Sequence, residues 1–86
     1  ILGDVIVFDV KTGERRLVLD GPTVTARATA AVSLLAAQQL APEPRGPLLI
    51  VGAGAQGRSH LDAFAAGLPI SRVFIASRSE RSAQAL

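Results

Sequence analysis

Cysteine is absent from the 86 residues, which excludes a disulfide framework and a thiolate zinc site within this stretch. Its absence fits a cytoplasmic protein, and with a single histidine no metal site is expected. Long apolar runs are missing as well. The longest weakly polar stretch, Ala28 to Ala41, is interrupted by Thr29, Ser33 and Gln38, and falls short of the roughly 20 apolar residues a membrane span needs. Nor is there a basic cluster: nine Lys and Arg stand against seven Asp and Glu, for a formal net charge of +2. The arginines lie scattered among acids, so no stripe exists to track a nucleic-acid backbone. Small anions remain suitable partners. No signal peptide is visible.

What is present is a globular composition, 49% hydrophobic and 19% charged, unlike that of a disordered tail. The length allows one small domain, and is too short for a complete dinucleotide-binding domain together with a substrate domain. The chain is therefore expected to be a piece of something larger. Ile1, in place of Met, opens directly into an apolar run, and residues 82–86 read as a helix just begun.

Residues 3–9 are β-branched and aromatic, Lys11 to Glu14 gives turn chemistry with Gly13 available for a positive φ, and residues 16–20 form a second apolar run. Together these predict a β-hairpin. Asp20-Gly21-Pro22 breaks the strand, and Thr23 or Thr25 can cap a helix running to about Leu40. Val24, Ala28, Ala31, Leu35 and Ala36 recur along it at helical spacing. Three prolines between Pro42 and Pro47 then predict a linker and domain boundary. Leu48 to Val51 reads as a parallel strand buried on both faces. A helix from about Ala55 to Ala66 follows, with Leu61, Phe64 and Ala65 on one side and Gly67 as its terminating glycine. A second strand, Arg72 to Ala76, ends in Ser77-Arg78-Ser79.

Between that strand and helix lies Gly52-Ala53-Gly54-Ala55-Gln56-Gly57. Its G-x-G-x-x-G spacing assigns each glycine its own steric task. Gly52 permits the tight turn, Gly54 lets backbone approach a pyrophosphate, and Gly57 lets the new helix pack on the strand. The helix start offers unpaired N–H groups and partial positive charge to the anion. A glycine hexapeptide alone is weak; preceded by an apolar strand and followed by an amphipathic helix and a returning strand, it predicts the start of a parallel βαβ dinucleotide-binding unit. An NAD-type site usually places Asp or Glu at the end of the second strand for the ribose 2′-hydroxyl. Here Ser77, Arg78 and Ser79 stand instead, two hydroxyls and a guanidinium that suit a 2′-phosphate. NADP(H) is thus the preferred cofactor, with NAD(H) open through Glu80. His60 falls two turns into the helix, where packing or hydrogen bonding is favoured over catalysis, and Asp62 reads as a solvated helix residue.

Taken in order, residues 25–33 (Thr-Ala-Arg-Ala-Thr-Ala-Ala-Val-Ser), Leu34-Leu-Ala-Ala, residues 51–56 (Val-Gly-Ala-Gly-Ala-Gln) and Ser77-Arg78 resemble the ornithine cyclodeaminase and mu-crystallin family. The resemblance covers essentially the whole chain, and within the family the wording is most similar to bacterial Δ1-pyrroline-2-carboxylate reductases. It implies an α/β, two-domain homodimer. Residues 1–41 would belong to a substrate and dimerisation domain, 42–47 to a linker, and 48–86 to the start of a Rossmann-type dinucleotide-binding domain. It also implies NAD(P)H-dependent reduction of a cyclic imino acid, Δ1-pyrroline-2-carboxylate to proline or Δ1-piperideine-2-carboxylate to pipecolate, with the catalytic residues outside this stretch. An NAD-dependent ornithine cyclodeaminase and a non-catalytic NADPH-binding homologue are the alternatives. The chain departs from the family at one place: the pattern T-x-x-R-T-A-A carries an anion-binding Arg where this sequence has Ala28. Arg27 is adjacent, but one residue turns a helical side chain by about 100°. Either Arg27 has taken over as the substrate-binding group, or the site is altered, or the substitution is an introduced or erroneous one.

Overall fold

The computed structural model describes residues 2–86; Ile1, and with it the start of the expected apolar run, lies outside the described residues. Seven elements follow one another: β1 (Asp4–Phe8), β2 (Arg15–Asp20), α1 (Gly21–Leu40), β3 (Leu48–Val51), α2 (Ala55–Gly67), β4 (Val73–Ala76) and α3 (Glu80–Ala85). The α/β reading stands: a hairpin and a long helix precede a parallel βαβ unit.

β1 and β2 pair antiparallel, Val5 opposite Leu19 and Ile6 opposite Val18, with an irregularity between Val7 and Phe8. Gly13 closes their turn at φ +74°, the left-handed conformation glycine adopts without steric cost. Asp9 organises the same turn, its carboxylate accepting from the N–H groups of Lys11 and Thr12 at 2.8 and 3.0 Å. Those bonds, Thr12's foremost, hold the carboxyl below its ordinary range.

α1 is capped by neither threonine suggested above. Asp20 is the N-cap, accepting from the Thr23 N–H at 3.1 Å and from the Thr23 hydroxyl at 2.5 Å. A carboxylate just upstream meets the orphan N–H groups of the first turn, and Pro22 fits there because its missing N–H would have had no helical partner. The Thr23 hydroxyl first, and its N–H second, lower the Asp20 pKa from the ordinary 3.8. A depressed native pKa contributes stability that is present above the unfolded value and lost as pH falls through the native one. Asp20→Ala should therefore lower the melting temperature at neutral pH, and the gap from the parent should close below 3.8. A gap of constant size in melts from neutral to strongly acidic solution would remove the carboxylate's charge from the account.

The spacing gives the packed face of α1 only at Val24. Gly21, Val24, Ala26, Ala30, Ser33, Leu34 and Ala37 are the buried or half-buried positions, whereas Ala28, Ala31, Leu35 and Ala36, expected on one face with Val24, are exposed. Small side chains win this interface because they let the helix come close to α2. At its far end Leu34 meets Gly67, where an added Cβ would lie 2.5 and 2.8 Å from the two leucine methyls. Gly67 is accordingly the last residue of α2 and not a left-handed cap; close packing explains the glycine. Gln38 Nε2 donates to the Gly67 carbonyl at 3.1 Å.

β3 and β4 run parallel in the register Ile50 to Ile75 and Val51 to Ala76. Ile50 is 8% exposed, but Leu49 and Val51 are 62% and 79% exposed, so the expectation of burial on both faces is not met among the described residues. Alternation sends Ile50 toward α2, while the opposite face has no helix on it. α3 also differs, starting at Glu80 behind Ser79 as N-cap, where the sequence suggests a start near Ser82.

Candidate functional site

The glycine loop leaves β3 at Gly52, whose φ of +113° is a conformation L side chains rarely adopt. The Gly52 N–H donates to the Ala76 carbonyl at 2.7 Å, fastening the loop to the end of β4. Gly54 is the N-cap of α2, without a side-chain cap, so the first-turn N–H groups keep their capacity for an external acceptor. A Cβ built on Gly54 meets nothing within 4 Å. On Gly57 it would collide with the Gly52 carbonyl oxygen and touch Ile50 Cγ2 at 3.5 Å. The three steric tasks fall on the three glycines: conformation at Gly52, open approach at Gly54, close packing at Gly57.

In front of this turn opens a cavity of about 570 Å³, lined by Val51, Gly52, Ala53, Gly54, Ala76, Ser77, Arg78 and Ser82. It lies beyond the carboxyl ends of two parallel strands, where open α/β sheets bind ligands, and its size suits a small-molecule site. Of the residues singled out in the sequence, Gly52, Ala53, Gly54, Ser77 and Arg78 line it. Ala55 instead lines the α1/α2 cleft, and Gln56 and Gly57 face the groove beneath β3. Ser79 caps α3, its hydroxyl accepting from the Ser82 N–H at 3.1 Å. Ser82 was not apparent from the sequence. Ser79, a favoured cap residue followed by the acidic Glu80 in the first turn, was the available signal that the helix starts early enough to include Ser82.

Arg27 lies apart from this cavity. It lines a second opening, a cleft of about 610 Å³ between α1 and α2 with Thr23, Ala30, Leu34, Ala55, Ser59 and Asp62 among its walls. Ala28 does not line that cleft and is exposed. Asp62 is exposed too, as expected. No cluster of metal-ligating side chains occurs among the described residues, and no helix there is long and apolar enough to cross a membrane.

His60 ties the two helices together. Its Nδ1 lies 2.7 Å from the Gln56 carbonyl, and its Nε2 lies 2.8 Å from Ser33 Oγ on α1. A carbonyl only accepts, so Nδ1 carries the proton, and in the neutral ring Nε2 accepts from the serine. The histidine thus has the hydrogen-bonding part expected of it, with Ser33 as the partner the sequence did not reveal. Ser33→Ala should cost about 0.5–1.5 kcal/mol of stability, and nothing further in a His60→Ala background. Additive losses in that double-mutant cycle would show that the two side chains are not coupled.

Comparisons with known proteins agree with this geometry. The ornithine cyclodeaminase/mu-crystallin family pattern matches residues 3–86. Delta(1)-pyrroline-2-carboxylate reductase 1 of Burkholderia multivorans is 49% identical over 85 residues, covering 99% of this chain and 26% of that protein. The Delta(1)-pyrroline-2-carboxylate/Delta(1)-piperideine-2-carboxylate reductase of Azospirillum brasilense is 45% identical over 99% of this chain and 27% of its own. Among solved structures, Thermococcus litoralis Delta(1)-pyrroline-2-carboxylate reductase in complex with NADH and L-proline matches with a TM-score of 0.84 at 28% identity, over 98% of this chain and 26% of that one. The chain spans about a quarter of the length of these relatives. Since the match runs unbroken from the hairpin through the glycine loop to α3, the chain belongs to the ornithine cyclodeaminase/mu-crystallin family.

Proposed function

We propose that the protein carrying this chain is an NAD(P)H-dependent reductase of cyclic imino acids, acting on Δ1-pyrroline-2-carboxylate to give proline and on Δ1-piperideine-2-carboxylate to give pipecolate. The observation that carries this reading is the open approach at Gly54, in front of parallel strand ends, in a chain 49% and 45% identical to proteins named for these substrates. The nicotinamide cofactor supplies the hydride for the C=N bond. This chain's residues bind and orient. Residues Gly52, Ala53, Gly54, Ala55, Gln56 and Gly57 form the turn and helix start that hold the pyrophosphate through backbone N–H groups. The Ser77-Arg78-Ser79 segment reads the ribose and favours NADP(H). NAD(H) is the alternative, supported by the NADH in the Thermococcus litoralis relative. Arg27, in the cleft beside Ala55, is assigned the substrate carboxylate. No catalytic group is assigned within these residues.

In this reading residues 1–41 belong to the substrate and dimerisation part, 42–47 link it, and 48–86 open the dinucleotide-binding part of a cytoplasmic homodimer. The test uses the full-length protein. NADPH oxidation with the imino acid, and no ammonia from ornithine with NAD, are expected. Ammonia release would make it a lyase; silence in both assays with NADPH affinity retained would make it a binding protein without catalysis.

A further inference from the structure

Which hydroxyl at the end of β4 can donate to a phosphate follows from counting protons, since a serine has one to give. Ser77 donates its proton to the Ser79 carbonyl at 2.5 Å. Ser79 accepts the Ser82 N–H at 3.1 Å as the cap of α3, and its hydroxyl lies 2.7 Å from that of Ser82, a pair in which one of the two donates. Both serines flanking Arg78 are therefore committed to local structure. An anion in the cavity selects the arrangement in which Ser79 is the donor of that pair, since it leaves the Ser82 proton free. Ser82 also lines the cavity beside Arg78 and the glycine loop, where Ser79 does not. A hydroxyl that is itself accepting becomes a better donor, because a chain of hydrogen bonds polarises its members.

Resting on the reading of this cavity as an NADP(H) site, we propose that Ser82 is a specificity-determining residue that acts with Arg78 on the ribose 2′-phosphate, while Ser77 and Ser79 shape and polarise the pair. Arg78 supplies a planar charge and Ser82 an oriented neutral donor. Ser82 is usable only because α3, capped by Ser79, starts two residues earlier than the sequence suggests. That places the first turn of the helix, and not the strand end alone, against the cavity.

The test is direct titration of NADPH and NADH into the full-length protein and its Arg78→Ala, Ser77→Ala, Ser82→Ala and Ser82→Thr variants. Ser82→Ala keeps the backbone N–H that Ser79 caps, so α3 should survive. The parent should bind NADPH more tightly than NADH, and Arg78→Ala should erase that preference. Ser82→Ala should weaken NADPH about ten- to a hundredfold more than NADH, the range for a lost hydrogen bond to a charged group. Ser82→Thr should restore the preference, and Ser77→Ala should affect both cofactors alike. A selective loss in Arg78→Ala with an unselective Ser82→Ala would overturn the role of Ser82 and leave the cofactor reading standing. Equal losses for both cofactors in Arg78→Ala, or a parent without preference, would overturn the NADP(H) reading and the role of Ser82 with it.

Discussion

Gly54→Val should abolish dinucleotide binding, by about a hundredfold or more in dissociation constant, while the protein stays folded. At φ −88° and ψ −162° the Gly54 backbone is extended, a conformation any residue adopts, and an added Cβ meets no protein atom within 4 Å. The space it would fill is the space assigned to the pyrophosphate. Displacing the anion from two backbone donors loses charge-assisted hydrogen bonds of about 1.5–3 kcal/mol each. Roughly 3 kcal/mol is already more than a hundredfold. The cost to the fold is confined to a poorer helix cap, about 1 kcal/mol. Gly57 supplies the contrast. There the new Cβ would drive into the Gly52 carbonyl, so Gly57→Ala should lose structure and binding together. Cofactor titration and thermal melts on Gly54→Val decide the matter: unchanged affinity in a folded variant would refute the assignment of the loop.

Arg27→Ala is expected to lower kcat/KM for the imino acid about ten- to a hundredfold, and Ala28→Arg to bring little gain. The sequence alone left the two positions in competition. In the fold Arg27 lines the cleft between α1 and α2 with Ala55 of the glycine loop on its opposite wall, and Ala28 turns away. A carboxylate deprived of a partner guanidinium forfeits a charge-assisted bond of about 1.5–3 kcal/mol, which appears in kcat/KM as the stated factor. Steady-state kinetics on both variants test this. A silent Arg27→Ala together with an Ala28→Arg that gains tenfold would return the anion site to the family's usual position; silence in both would remove this helix from anion recognition.

The glycine loop was legible because each of its demands is local. The positive φ at Gly52 and the collision waiting at Gly57 concern atoms a few residues apart, so spacing encodes them. The parallel pairing of β3 with β4 was legible for a related reason, two apolar runs separated by one helix. What spacing could not convey was decided by partners distant in sequence. The face of α1 follows from where small residues let α2 approach, and Gly67 from a leucine 33 positions earlier. Ser82 entered the cavity because α3 starts at Glu80, capped by Ser79, and not at Ser82. Asp20 and Thr23 are near neighbours, and there the error was chemical: Thr23 donates to a stronger acceptor instead of capping.

α1 is fixed at both ends of its reach. At its start the Gly21 N–H donates to the Gly3 carbonyl at 2.9 Å, with no room for a Cβ between them; further along, Ser33, Leu34 and Gln38 engage α2. An isolated two-stranded hairpin is marginal in water, so β1 and β2 depend on α1, and α1 on α2. Whatever binds at the glycine loop and stabilises α2 by mass action must then also protect hairpin amides it never touches. Ligand occupancy at the glycine loop is therefore expected to slow amide hydrogen exchange in the hairpin.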